Sequence, residues 1–94
     1  MTPAEPIRTF VEALVGAGVR DAVVCPGSRS TPLALALRQH PGVRTVVHLD
    51  ERAAGYVGLG LARAARRPVV LLSTSGTAAV NFGPAVTEAR EGRV

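Results

Sequence analysis

The chain has 94 residues, of which 47% are apolar and only 3% aromatic, with a formal charge of +4. That length holds at most one domain, and the apolar share excludes a disordered chain, so Val, Leu and Ala must fill the core. No lysine occurs, and the arginines are scattered without aromatic side chains between them to stack bases; this is the pattern of solvated helix ends, not of a nucleic-acid surface.

Taken in chain order, Pro6 to Val15 sets Ile7, Phe10, Val11, Leu14 and Val15 on one helical face, and Gly16 and Gly18 follow as a stop. Val19 to Cys25 reads as a short apolar strand closed by Pro26-Gly27, and the polar stretch Ser28-Arg29-Ser30-Thr31 as a loop. Thr31 before Pro32 predicts a capped helix start, with the helix running from Leu33 to Gln39. After Pro41-Gly42, Val43 to Leu49 is a second strand. Asp50 is placed to cap a third helix from Glu51 to about Ala65. That helix has no polar face, so burial on more than one side is expected, including burial against a second subunit, with its glycines permitting close backbone approach. Val69 to Leu72 is an uninterrupted apolar strand of the kind covered on both faces. Thr77 to about Ala89 predicts a fourth helix kinked at Gly83-Pro84.

Alternating strands and helices predict an α/β fold: a partial, open parallel sheet with helices on both faces, occupying residues 1–94 as one unfinished domain. No stretch of eighteen apolar residues predicts membrane insertion and no secretory leader is recognisable, so a cytoplasmic location is expected. Cys25, the single cysteine, excludes an internal disulfide. His40 and His48 have no partner at metal-ligand spacing, so no metal site is expected within these residues.

Ligands of open parallel sheets bind beyond the C-terminal strand ends, and all three polar loops fall there. Glu51 is the leading candidate among them. At the first turn of an apolar helix its charge is favoured by the helix dipole and opposed by desolvation, a balance suited to proton exchange, although a first-turn acid that merely stabilises its helix occupies the same position. Ser28 and Arg29 supply a hydroxyl and a guanidinium suited to a carboxylate or phosphate. No GxGxxG or GxxxxGK[ST] pattern is present. Thr74-Ser75-Gly76 is a tight turn at which backbone can approach a ligand, with Asn81 nearby in sequence.

Taken together, these loops resemble the pyrimidine-binding domain of thiamine-diphosphate-dependent enzymes. The resemblance rests on Glu51-Arg52-Ala53-Ala54-Gly55 through Gly60-Leu61-Ala62-Arg63, on Thr74-Ser75-Gly76 and on Asn81. Within that family, Cys25-Pro26-Gly27-Ser28-Arg29-Ser30-Thr31-Pro32-Leu33 resembles the synthases of menaquinone biosynthesis. Acetolactate synthase-like relatives instead have a P-G-G type turn here and T-S-G-P-G after the third strand. The resemblance implies thiamine diphosphate as cofactor, with Glu51 as the catalytic carboxyl that hydrogen-bonds the aminopyrimidine ring nitrogen. Pro26, Thr74, Ser75 and Gly76 would lie at the cofactor's pyrimidine end, and Ser28 and Arg29 on substrate carboxylates.

It further implies decarboxylation of 2-oxoglutarate followed by addition to isochorismate. Mg2+ or Mn2+ would be bound by a diphosphate-binding domain whose G-D-G motif is absent from these residues, and a homodimer or higher oligomer would build the active site between subunits. Alone, these 94 residues are then expected to be inactive. The competing readings are another thiamine-diphosphate-dependent carboligase or decarboxylase, and a stand-alone α/β anion-binding module.

Overall fold

A computed structural model describes residues 4–74 and 76–94. Its elements are α1 (Ala4–Gly16), β1 (Asp21–Val24), a 3-10 turn (Ser28–Ser30), α2 (Thr31–Gln39), β2 (Arg44–Val47), α3 (Glu51–Ala65), β3 (Val69–Leu72), α4 (Thr77–Val80) and α5 (Gly83–Glu91). The three strands are parallel in the order β2-β1-β3. Asp21 to Val24 pair in register with Arg44 to Val47 on one side and with Val69 to Leu72 on the other. All three C-terminal strand ends therefore lie side by side on one edge.

This strand order also decides where the helices go. The crossover through α2 runs outward from β1 to β2, whereas the crossover through α3 must return past β1 to β3. Parallel crossovers keep one hand, so a reversal of direction sends the second helix to the opposite face. Two cores result, as side chains of β1 alternate between the faces. Ala22 and Val24 pack with Val11 of α1, Leu37 of α2 and Val43, flanked by Val70 and Leu72. Val23 and Cys25 pack on the other side with Ala54 of α3 and Phe82, flanked by Leu61, Val69 and Leu71. Helices on both faces of a parallel sheet are thus present as expected.

Several boundaries differ from the sequence reading, each for a physical reason. Both β1 and β2 are shorter than their apolar runs. β3 is not the enclosed strand: its four residues are all half-buried, whereas those of β1 are all buried. The central strand has a neighbour on each side, and β3 has only one among the described residues. Thr31 does not cap α2 but is its first residue. Its hydroxyl donates to the Gly27 carbonyl oxygen at 3.2 Å, and the N-cap Ser30 makes no side-chain capping bond. The expected kinked helix is two helices. Pro84 lacks an N–H and its ring would clash with the carbonyl of Val80, so α4 stops short of it and Pro84 instead stands in the first turn of α5.

α3 matches its predicted span, but its glycines serve this chain. A Cβ at Gly55 would lie 2.9 Å from the Cβ of Ala85 in α5, and one at Gly58 would collide with Leu71 of β3. The close backbone approach expected of them is therefore made to α5 and β3. On the opposite side, Tyr56 and Val57 remain 44% and 36% exposed and Gly60 faces open space, an apolar strip that no described residue covers.

Candidate functional site

Backbone pairing continues past the strands and draws the loops together. The Cys25 N–H donates to the Leu72 carbonyl at 2.8 Å, and the His48 N–H to the Val24 carbonyl at 3.0 Å. The loop after β1 thereby begins between the other two.

The loop after β2 is ordered by its own polar groups. His48 Nδ1 accepts from the Asp50 N–H at 3.1 Å. Asp50 Oδ1 in turn accepts from the N–H groups of Arg52 and Ala53 at 2.9 and 3.3 Å, which makes Asp50 the N-cap of α3, as its position predicted. Capping is done by Asp50, so the adjoining carboxylate is spared that role. Glu51 is the first residue of α3 and half-buried, and its carboxylate makes no hydrogen bond or ion pair with any described residue.

Glu51 also acts on Cys25, a residue whose surroundings sequence reasoning passed over. Cys25 is 2% exposed, and its thiol is pushed above the usual range first by burial, then by the negative charges of Glu51 and Asp50. The two acids therefore act electrically on the floor of the central strand end. The sequence signal was the strand alternation that puts Cys25 on the same side as Val23, facing α3. Cys25 stays a neutral, enclosed thiol.

The loops after β1 and β3 are in contact. A Cβ on Gly27 would lie 2.5 Å from Thr74 Cβ and 3.0 Å from its Cγ2 and Oγ1. Pro26 and Thr74 are exposed beside this contact. Gly76 has φ 65° and ψ −133°, a backbone state that side chains strongly disfavour, which is why glycine opens α4. Ser75 lies outside the described residues. Ser28 and Arg29 occupy the 3-10 turn and are exposed; the Ser28 carbonyl accepts from the Thr31 N–H, while the two side chains make no hydrogen bond or ion pair to another described residue. Asn81 is the C-cap of α4, and its side-chain amide donates to the Thr77 carbonyl at 2.9 Å.

A cavity of about 280 Å³ lined by Val24, Pro26, Gly27, Thr31, Arg38 and Val47 adjoins this edge on the α2 side. A larger groove of about 790 Å³ between α3 and α5 lies toward the opposite end, near Arg66 and Val69, away from the three loops.

Residues 7–94 match the family described as thiamine pyrophosphate enzyme, N-terminal TPP binding domain. The chain belongs to this family. Among curated proteins similar to this member are three named 2-succinyl-5-enolpyruvyl-6-hydroxy-3-cyclohexene-1-carboxylate synthase. That of Listeria welshimeri is 59% identical over 83 residues, covering 88% of this chain and 14% of the relative. That of Geobacillus kaustophilus is 58% identical over 85 residues, covering 90% and 15%. The third, from Chloroflexus aurantiacus, is 54% identical over 88 residues, covering 94% and 15%. The chain thus spans 14–15% of the length of these relatives. Membership of a thiamine-diphosphate-dependent enzyme family and the α/β fold predicted for it are both established. Among the described residues, no helix is long and apolar enough to cross a membrane.

Proposed function

We propose that residues 1–94 are the N-terminal part of the pyrimidine-binding domain of a menaquinone-pathway synthase. Its full-length form decarboxylates 2-oxoglutarate and adds the succinyl-semialdehyde unit to isochorismate. The observation that carries this reading is Glu51: a half-buried carboxylate at the head of α3, on the edge where three strands end, relieved of capping by Asp50 and without a partner of its own among the described residues. The similarity to relatives bearing the synthase name supports the choice of reaction.

The donor set suits the cofactor. An aminopyrimidine presents ring nitrogens and an exocyclic amine on a flat apolar ring, and a carboxyl beside enclosed apolar groups is a matching partner. Glu51 is assigned to the ring nitrogen, where it holds and shares a proton. Cys25, Ala54 and Phe82 belong to the apolar cluster on the α3 side of the sheet and are assigned to the floor of the site. Pro26, Thr74, Ser75 and Gly76 are assigned to the pyrimidine end. When bound, thiamine diphosphate supplies the electron sink that lets a 2-oxo acid lose carbon dioxide. Ser28 and Arg29 hold the carboxylates of the substrates, the guanidinium offering a paired donor geometry that a point charge lacks.

Mg2+ or Mn2+ and the cofactor's diphosphate are assigned to a further domain outside these residues. The uncovered apolar strip of α3 fits packing against a second subunit, which gives a homodimer or higher oligomer in the cytoplasm. On this reading residues 1–94 alone do no chemistry. The test is turnover by full-length protein of 2-oxoglutarate with isochorismate, compared with pyruvate, in the wild type and in Glu51→Gln. The expected result is activity with the first pair only, reduced at least about a hundredfold by the substitution, with cofactor still bound. Preference for pyruvate overturns the substrate assignment, and full activity of Glu51→Gln overturns the role of the carboxyl.

A further inference from the structure

Gly27 is a glycine that its own backbone does not require. Its φ of −175° and ψ of 146° describe extended chain open to any residue. What excludes a side chain is Thr74, whose Cβ, Cγ2 and Oγ1 occupy the volume that a Cβ on residue 27 would need, at 2.5, 3.0 and 3.0 Å. The nearest of these atoms is fixed to the Thr74 backbone, so no rotation of that side chain removes the conflict.

The same residue anchors the turn that follows. The Gly27 carbonyl oxygen accepts from the Ser30 N–H at 3.2 Å, from the Ser30 hydroxyl at 3.1 Å and from the Thr31 hydroxyl at 3.2 Å. Ser30 is buried although Ser28 and Arg29 on the same turn are exposed. Three donors on one oxygen bind the placement of the turn to that of the Gly27 peptide, and the Thr74 contact binds Gly27 to the loop after β3.

We infer that Gly27 is a positioning residue: its contact with Thr74 sets where the Ser28-Arg29 turn stands relative to the cofactor edge, and so sets affinity for the substrate carboxylate. This rests on the reading that Ser28 and Arg29 bind that carboxylate. Glu51 belongs to a different loop and helix, capped independently by Asp50. A disturbance at residue 27 therefore leaves Glu51 in place and reaches the Ser28-Arg29 turn directly, while Thr74 is pressed from the same contact.

The test uses full-length wild type, Gly27→Ala, Thr74→Gly and Thr74→Ala alone, and Gly27→Ala combined with each. Every double variant is compared with its own Thr74 single because Thr74 is assigned to the cofactor, and cofactor binding is titrated separately from the 2-oxoglutarate dependence of turnover. Relieving the overlap in Gly27→Ala displaces the turn by roughly an ångström, and KM for 2-oxoglutarate is expected to rise about ten- to a hundredfold, with cofactor affinity changed less than about threefold. Thr74→Gly removes the opposing Cβ and is expected to bring KM back toward that of the matching Thr74 single variant. Thr74→Ala keeps that Cβ and is expected not to. This rescue pattern separates positioning from general loss of structure, since simple destabilisation would not distinguish the two partners. An unchanged KM in Gly27→Ala, equal losses of cofactor and substrate affinity, or equal rescue by both second substitutions overturns the inference. Wild-type protein inert toward 2-oxoglutarate overturns instead the functional reading on which it rests.

Discussion

The two faces of α3 make opposite demands on glycine, and methyl groups added to each should move stability in opposite directions. Gly60→Ala places a Cβ where nothing lies within 4 Å. The substitution then acts only on the helix itself and should stabilise α3 by about 0.5–1 kcal/mol, because alanine loses less backbone freedom than glycine. Gly55→Ala receives the same benefit but puts its Cβ 2.9 Å from Ala85 Cβ and 3.6 Å from Phe82 Cδ1. Ala85 has no rotamer to move, so α3 and α5 must separate by about half an ångström or more, at the roughly 1–3 kcal/mol typical of overpacking. With the overpacking cost in the upper half of that range, the net effect is a loss of about 1–2 kcal/mol.

Hydrogen exchange of the α3 amides in residues 1–94 as a dilute monomer, where no second subunit covers the strip, reads this locally and without treating the whole chain as two-state. Protection over residues 51–65 should rise about two- to fivefold in Gly60→Ala and fall about five- to thirtyfold in Gly55→Ala. Equal shifts of the same sign in both variants would refute the assignment of the glycines to distinct faces.

Two further outcomes follow from the strand-end groups. Asp50→Ala removes the acceptor for the Arg52 and Ala53 N–H groups and should cost about 1 kcal/mol of α3 stability, against much less for Asp50→Asn, which keeps a capping oxygen; thermal unfolding of the three proteins checks the order. The Cys25 thiol, raised by burial and by the charges of Glu51 and Asp50, should be alkylated more slowly than a free thiol at the same pH, with its rate profile displaced to higher pH. Glu51→Gln removes one of those charges, so the profile should move back toward lower pH; mass spectrometry of iodoacetamide-treated protein decides it.

The sequence alone determined the alternation of strands and helices, the limits of α3 and β3, and the gathering of candidate residues into three strand-end loops. These follow from local quantities: apolar periodicity, a capping Asp50, and Pro or Gly at the breaks. Glu51 was legible because it stands at such a junction, and the family resemblance supplied a chemical role that position could not.

Only the tertiary structure decided which strand is central, and so which is buried. Strand order depends on where a crossover returns, and no periodicity within β1 or β3 carries that information. For the same reason the glycines of α3 were readable as sites of close approach, but not as meeting Ala85 and Leu71 of the same chain. Gly27 and Thr74, which meet in space, and Cys25 and Glu51, whose charge Cys25 feels, are pairs far apart in sequence. Their proximity is created by parallel strands placed in register, which no single loop encodes.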